Sequence, residues 1–287
     1  MSDQRKRTQQ KAPPARPPGP PVPVDLYDSA YGNYAAQVYR QIRIATYGQD
    51  LGQTSWVTAE ESRDIPRDLR LAPDSRVLEI GSGSGGYALH LASAVGCTIL
   101  GIDSNVAGIR NANSLALERN LAGRAGFQQC DAAAPLPFSG GSFHGAFAND
   151  VLCHIPTRAD VLHELFRVLI PGGRMLFSDA LILGGAVTQQ EIATRSSIGV
   201  YIFTPPGYNE QLIDQAGFRL LRAADTTANA AAIAERWQSA RHQHRDALIT
   251  IEGPQNYEGL QQFLACVHTL SGERRLLRYL YLAEKPE

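Results

Sequence analysis

The sequence predicts an α/β fold built on a parallel sheet with helices on both faces. Three observations carry this. From Arg76 to Ser178, short apolar runs alternate with segments of helical periodicity. The first run ends in a cluster of glycines that opens a helix. Two later runs end on acids, Asp103 and Asp131. Strand–helix alternation with short turns places the strands in parallel and leaves both faces of the sheet to be covered.

The elements follow in order. Tyr27, Tyr31, Tyr34 and Val38 keep helical spacing, so a helical segment is expected within 25–73. Arg76–Ile80 reads as a buried strand, Ser84–Ala94 as a helix and Cys97–Ile102 as a strand. Val106, Ile109, Ala112 and Ala116 share one helical face. Gly126–Cys130 and Phe143–Ala148 are strand-like. Thr157 can cap a helix carrying Val161, Leu162, Leu165 and Leu169, which Pro171-Gly172-Gly173 ends before a strand at Arg174–Ser178. A long connection, Leu181–Gly207, precedes a helix at Asn209–Ala216 and a strand at Phe218–Ala224. Two amphipathic helices are expected next. One carries Ile233, Trp237, Ala240, His244 and Leu248, and the other Tyr257, Leu260, Leu264 and Val267. A strand at Leu276–Ala283 brings the count to seven. The helices at about 226–272 are expected to form a lid together with the N-terminal segment.

Bulk properties narrow the function. The chain has 287 residues, 44 % of them hydrophobic, which suits one large domain at 74–287 with the helical cap at 25–73 in front of it. The formal net charge of −1 gives no electrostatic reason for a nucleic acid or an anionic membrane as partner. Four widely spaced cysteines contain no CxxC pair, which suits a reducing cytoplasm and argues against a zinc site. No apolar run approaches the roughly 20 residues of a membrane span. Residues 1–24, basic and then proline-rich, cannot bury enough apolar surface to offset their ordering entropy and are expected to be a disordered tail.

The strongest local signal is Val77-Leu78-Glu79-Ile80-Gly81-Ser82-Gly83-Ser84-Gly85-Gly86. Glycines let the backbone turn tightly and approach a ligand, and the following helix start offers free N–H groups to an anionic group. The run also satisfies GxGxxG at Gly81, Gly83 and Gly86, with Asp103 about 20 residues on, so a nicotinamide oxidoreductase remains an alternative from the residues alone.

The acid two residues before the glycines resembles the opening of the class I S-adenosylmethionine-dependent methyltransferase motif, E/D-x-G-x-G-x-G. Cys130-Asp131-Ala132 and Leu169-Ile170-Pro171-Gly172-Gly173 are similar to later motifs of that family. The resemblance implies a Rossmann-like seven-stranded sheet with a helical lid, and S-adenosylmethionine as cofactor. It implies that Glu79, Gly81, Ser82 and Gly83 support the methionine end. Asp103 and Ser104 would meet the ribose, and Asp131 and Ala132 the adenine. Asn149 and the loop at Gln53 would complete the cofactor site.

Tyr47–Gly52, Asn149–Ile155, Ser178-Asp179 and Ser197–Tyr201 further resemble glycine/sarcosine and phosphoethanolamine N-methyltransferases. That likeness implies a small-molecule acceptor and a histidine–tyrosine pair over the reacting centre, with His154 as proton acceptor. Tyr27, Tyr31 and Tyr34 all qualify as the tyrosine, and Tyr31 is taken as the working choice. Asp150 is implied to approach the acceptor. Ser196–Val200 lacks the basic residues that phosphobase enzymes carry there, and Arg195 is out of register, which disfavours a phosphate-bearing acceptor. Transfer to N or O is expected, with C-methylation as the alternative. No metal is expected. An RNA methyltransferase would need a basic patch beyond the tail, and a member that binds the cofactor without transfer is the remaining alternative.

Overall fold

The computed structural model describes residues 24–287. Apart from Val24, the tail expected over 1–24 lies outside the described residues. Val24 itself is buried, and its N–H donates to the Ser197 carbonyl at 2.9 Å, so it belongs to the folded body.

Seven strands form one sheet in the order β3-β2-β1-β4-β5-β7-β6. They are β1 (Arg76–Ile80), β2 (Thr98–Asp103), β3 (Ala125–Gln129), β4 (Phe143–Asn149), β5 (Leu169–Leu183), β6 (Arg219–Asp225) and β7 (Leu276–Glu284). The strands from β1 to β5 pair in parallel, whereas β7 runs antiparallel to both β5 and β6. The parallel pairing expected of the alternation between Arg76 and Ser178 holds for these five strands, and β7, beyond it, reverses. Leu276, the first residue of β7, pairs with Leu183 at the carboxyl end of β5, so the chain enters the sheet from its carboxyl edge and can only run backwards. Val77, Leu78 and Ile80 are fully buried because both faces of β1 are covered.

The helices are α1 (Tyr27–Gly32), α2 (Gln37–Tyr47), α3 (Ala59–Asp68), α4 (Gly86–Val95), α5 (Val106–Glu118), α6 (Arg158–Val168), α7 (Gln189–Arg195), α8 (Tyr208–Gln215), α9 (Thr227–Gln243), α10 (Arg245–Glu252) and α11 (Pro254–Gly272). Three expectations shift. The tyrosine-rich helix breaks between α1 and α2, which leaves Tyr34 in the turn. The long helix expected from Ile233 to Leu248 divides at His244 into α9 and α10. Thr157 stands at the N-terminus of α6 but makes no side-chain cap; the next residue, Arg158, is instead drawn into the core by Asp179 at 2.5 Å.

A second apolar core joins the N-terminal helices to the late ones. Leu26, Val38, Tyr39, Ile42 and Trp56 pack with Ile233, Trp237, Leu260 and Phe263. Within this core the Trp56 ring lies 6.0 Å from Trp237 and 6.1 Å from Phe263, close enough for favourable aromatic packing.

Candidate functional site

The carboxyl ends of β1, β2 and β4 open into a cavity of about 650 Å³. Ligands of open α/β sheets bind at this edge. The glycine loop forms its floor. Gly81, Gly83 and Gly85 all have positive φ, and a Cβ on Gly86 would stand 1.5 Å from the Leu51 carbonyl oxygen. The loop therefore needs glycine for close backbone approach, not only for flexibility.

Asp103 ends β2 with its carboxylate pinned from two sides. It accepts the Gly83 N–H at 2.8 Å and the Asn105 N–H at 2.7 Å. Each oxygen keeps a lone-pair site for a diol. Burial raises its pKa, and the two backbone donors oppose that rise. Glu79 lies buried behind the loop, where burial pushes its pKa well up. Glu79 Oε2, Ser82 Oγ and Asn149 Nδ2 are buried and lack a protein partner. Buried polar atoms are rarely left unpaired, so three of them around one loop point to a polar ligand there. Ser104, Asp131 and Ala132 line the far end of the same cavity. Asp131 also accepts the Ala133 N–H at 2.9 Å. These residues fit a bound S-adenosylmethionine: acids for its amine and ribose, and backbone N–H groups for its carboxylate.

Gln53 lines the cavity too, and each end of its amide makes one bond within its own loop. Its Oε1 accepts the Leu51 N–H at 2.8 Å, and its Nε2 donates to the Gln49 carbonyl at 3.3 Å. These bonds shape the loop, and each end of the amide keeps one further hydrogen-bonding position for the contact expected of it.

The other end of the cavity holds the polar pair that sequence reasoning left among three tyrosines. Tyr27, not Tyr31, meets His154, with its hydroxyl 2.9 Å from Nε2. His154 Nδ1 lies 3.0 Å from the Val200 carbonyl, which can only accept, so Nδ1 carries the proton. Nε2 of the neutral ring then accepts from Tyr27. Tyr31 instead reaches Thr54 Oγ1 at 3.3 Å and lies over Gly83, where a Cβ would stand 2.6 Å from its hydroxyl. Asn111 holds the Tyr31 carbonyl at 2.8 Å, and this contact fixes the turn of α1 that presents Tyr27 to the histidine.

Two further expectations are corrected. His154 is a weaker proton acceptor than an ordinary imidazole. Burial lowers its pKa to about 4; the bond to Val200 opposes this and the Arg195 charge adds to it. Asp150 does not present a free carboxylate to an acceptor. Its Oδ1 accepts from Arg278 Nε at 2.9 Å and its Oδ2 from the Trp56 N–H at 2.8 Å. With φ at +59°, Asp150 is a strained tie between β4, the Trp56 loop and β7. Asp179, within β5, is likewise committed, to Arg158 and Asn209.

Sequence reasoning missed the apolar walls around the pair. Val24, Leu26, Ile155, Pro156, Ile198 and Val200 line this end of the cavity. They come from three distant stretches of chain, so no local pattern joins them. It also passed over Cys130 and Asn105, neighbours of the acids it did pick.

Comparison with known proteins agrees with this geometry. A methyltransferase domain family matches residues 78–177, the span of the glycine loop and the first strands. An O-methyltransferase from Aspergillus nomiae is 30 % identical over 169 residues, 58 % of this chain and 75 % of that protein. The chain belongs to the class I S-adenosylmethionine-dependent methyltransferases. The 27-O-demethylrifamycin SV methyltransferase of Amycolatopsis mediterranei is 29 % identical over 84 % of this chain and 92 % of its own length. The match to an Aspergillus sclerotiorum O-methyltransferase is 28 % identical and spans 65 % of that protein. Among solved structures, a Haemonchus contortus phosphoethanolamine N-methyltransferase aligns with a TM-score of 0.76 at 19 % identity, covering 91 % of this chain and 60 % of that one. The [4+2]-cyclase SpnF aligns at 0.69 and 21 % identity over 94 % of this chain and 99 % of that one, so this fold also carries a chain described by a different reaction.

Among the described residues, no helix is long and apolar enough to cross a membrane.

Proposed function

We propose that this methyltransferase acts on a small molecule and places the methyl group on a hydroxyl oxygen. One observation carries the reading: the Tyr27–His154 pair stands in the same cavity as the cofactor loop, between apolar walls. The acceptor's apolar body fits against Leu26, Ile155 and Ile198, and its hydroxyl meets Tyr27. S-adenosylmethionine supplies an already activated methyl group, so the chain's task is alignment and exclusion of water. Gly81–Gly83, Asp103 and Asp131 hold the cofactor. His154 fixes the Tyr27 hydroxyl, and Val200 fixes the histidine tautomer.

Oxygen is favoured over nitrogen by what surrounds the pair. An ammonium-bearing acceptor calls for a nearby free carboxylate, and Asp150 and Asp179 are both tied to arginines. The O-methyltransferases among its relatives support the same choice.

The test is turnover. Purified protein with S-adenosylmethionine is screened against phenols, alcohols and primary amines, and S-adenosylhomocysteine release is measured. Release with hydroxyl acceptors and none with the matched amines is the expected result. Turnover confined to amines, or cofactor binding without transfer to any acceptor, contradicts the reading.

A further inference from the structure

Arg195, the last residue of α7, is 1 % exposed. Among the described residues no carboxylate pairs with it, and its Nη1 has no hydrogen-bond partner. That sets it apart from its neighbours Arg158 and Arg278, each of which holds an acid. Burying an uncompensated guanidinium is costly, and proteins rarely do it without a use for the charge.

What compensates Arg195 is aromatic. Its guanidinium lies 4.4 Å from the Tyr201 ring centre, 5.0 Å from Phe263 and 5.7 Å from Trp56. Tyr201 also neighbours His154, whose ring centre is 4.3 Å away and tilted by 34°. A cation, a phenol and the imidazole that grips Tyr27 therefore stand in successive contact, and the last of them lines the acceptor end of the cavity. The groups facing His154 are Tyr27 from α1, Arg195 from α7, Tyr201 after it, Asp150 just past β4 and Asp179 within β5. The two acids are paired elsewhere, so Arg195 supplies the unbalanced charge.

We infer that Arg195 selects an acidic hydroxyl, a phenol or an enol, as the methyl acceptor, and holds it as its oxyanion. The inference rests on the hydroxyl-acceptor reading above and deepens it. The acceptor's proton leaves to bulk water as it binds. The Tyr27 O–H then rotates from Nε2 to donate to the oxyanion. The same charge disfavours an ammonium acceptor and an imidazolium at His154. The guanidinium lies within about 9 Å of the imidazole, and at that range one charge in a protein-like medium changes an ionisation equilibrium by about tenfold or somewhat more. Arg195 is a positioning residue in this scheme, because it acts through Tyr201 and does not touch the acceptor.

The probe is 4-nitrophenol, whose ionised form is read by its absorbance. It is titrated into the S-adenosylhomocysteine-loaded protein between about pH 5 and 9, with benzylamine as the cationic counter-probe. The expected result is that the ionised form binds at least about tenfold tighter than the neutral one. Arg195→Met should abolish that preference and Arg195→Lys should restore most of it, with S-adenosylhomocysteine affinity reporting that each variant is folded. A wild type that prefers neutral 4-nitrophenol or benzylammonium overturns the inference. So does a loaded protein that binds neither probe, or a preference that survives Arg195→Met. Failure of the wild type to bind S-adenosylhomocysteine would overturn the methyltransferase reading itself, a result distinct from all of these.

Discussion

Replacing Asp150 by Asn separates a structural tie from an acceptor contact. The carboxylate is almost fully buried and accepts from Arg278 Nε at 2.9 Å and from the Trp56 N–H at 2.8 Å. Removing one partner of a buried ion pair costs about 3–5 kcal/mol. Here Glu61, 2.6 Å from Arg278 Nη1, still compensates part of the guanidinium charge. The amide can accept only one of the two donors and turns its NH₂ toward the other. The net expectation is a loss of about 3 kcal/mol, at the low end of that range. For a chain of 287 residues, whose unfolding entropy is near 0.6 kcal/mol/K, that is a drop in Tm of about 5 °C. Thermal and urea unfolding give the stability term, and turnover below the new Tm gives the functional one. Turnover should fall less than about tenfold, through loosening of the Trp56 loop. A stability change below about 1 kcal/mol together with a hundredfold loss of turnover would refute the reasoning and return Asp150 to the acceptor.

The other predictions concern the two ends of the cavity. Tyr27→Phe should cut turnover by about ten- to a hundredfold and leave S-adenosylhomocysteine affinity unchanged, whereas Tyr31→Phe, losing only a 3.3 Å bond to Thr54, should change turnover less than about threefold. Reversal of that order in steady-state kinetics would show that the wrong tyrosine has been assigned. Gly86→Ala forces a carbon to within 1.5 Å of the Leu51 carbonyl oxygen, so calorimetry should find cofactor affinity lost and unfolding should find a large destabilisation. His154 has a folded-state pKa of about 4 against an ordinary 6.5. Between those values the unfolded chain takes up a proton that the folded one refuses. Stability is therefore fullest above pH 6.5 and falls as pH drops toward 4. His154→Gln should flatten that fall by about 1–2 kcal/mol, less than the full shift because the ring is only partly buried. Parallel unfolding curves for wild type and variant across this window would contradict it.

The seven strands and the cofactor loop were legible because their signals are local. Buried runs, glycines at Gly81–Gly86 and acids at Asp103 and Asp131 lie within a few residues of what they act on. The acceptor end was harder to read, for physical reasons. Tyr27 and Tyr31 are one helical turn apart and share a face. The docking of α1 on α5 through Asn111 chooses between them. Asp150 looked free because its partner, Arg278, lies 128 residues away on a strand that reverses direction. The low pKa of His154 comes from burial and from Arg195, neither visible in the Asn149–Ile155 motif. The division of the lid at His244 escaped notice because Ile233, Trp237, Ala240 and Leu248 keep an apolar pattern across the break.

The central claim is tested most directly by calorimetric titration of the wild type and Asp103→Ala with S-adenosylmethionine and S-adenosylhomocysteine, with NAD and NADP as controls. The wild type should bind both adenosyl ligands, Asp103→Ala should show a large loss, and neither nicotinamide cofactor should bind. Nicotinamide binding by the wild type, or adenosyl-ligand binding untouched by Asp103→Ala, would contradict it.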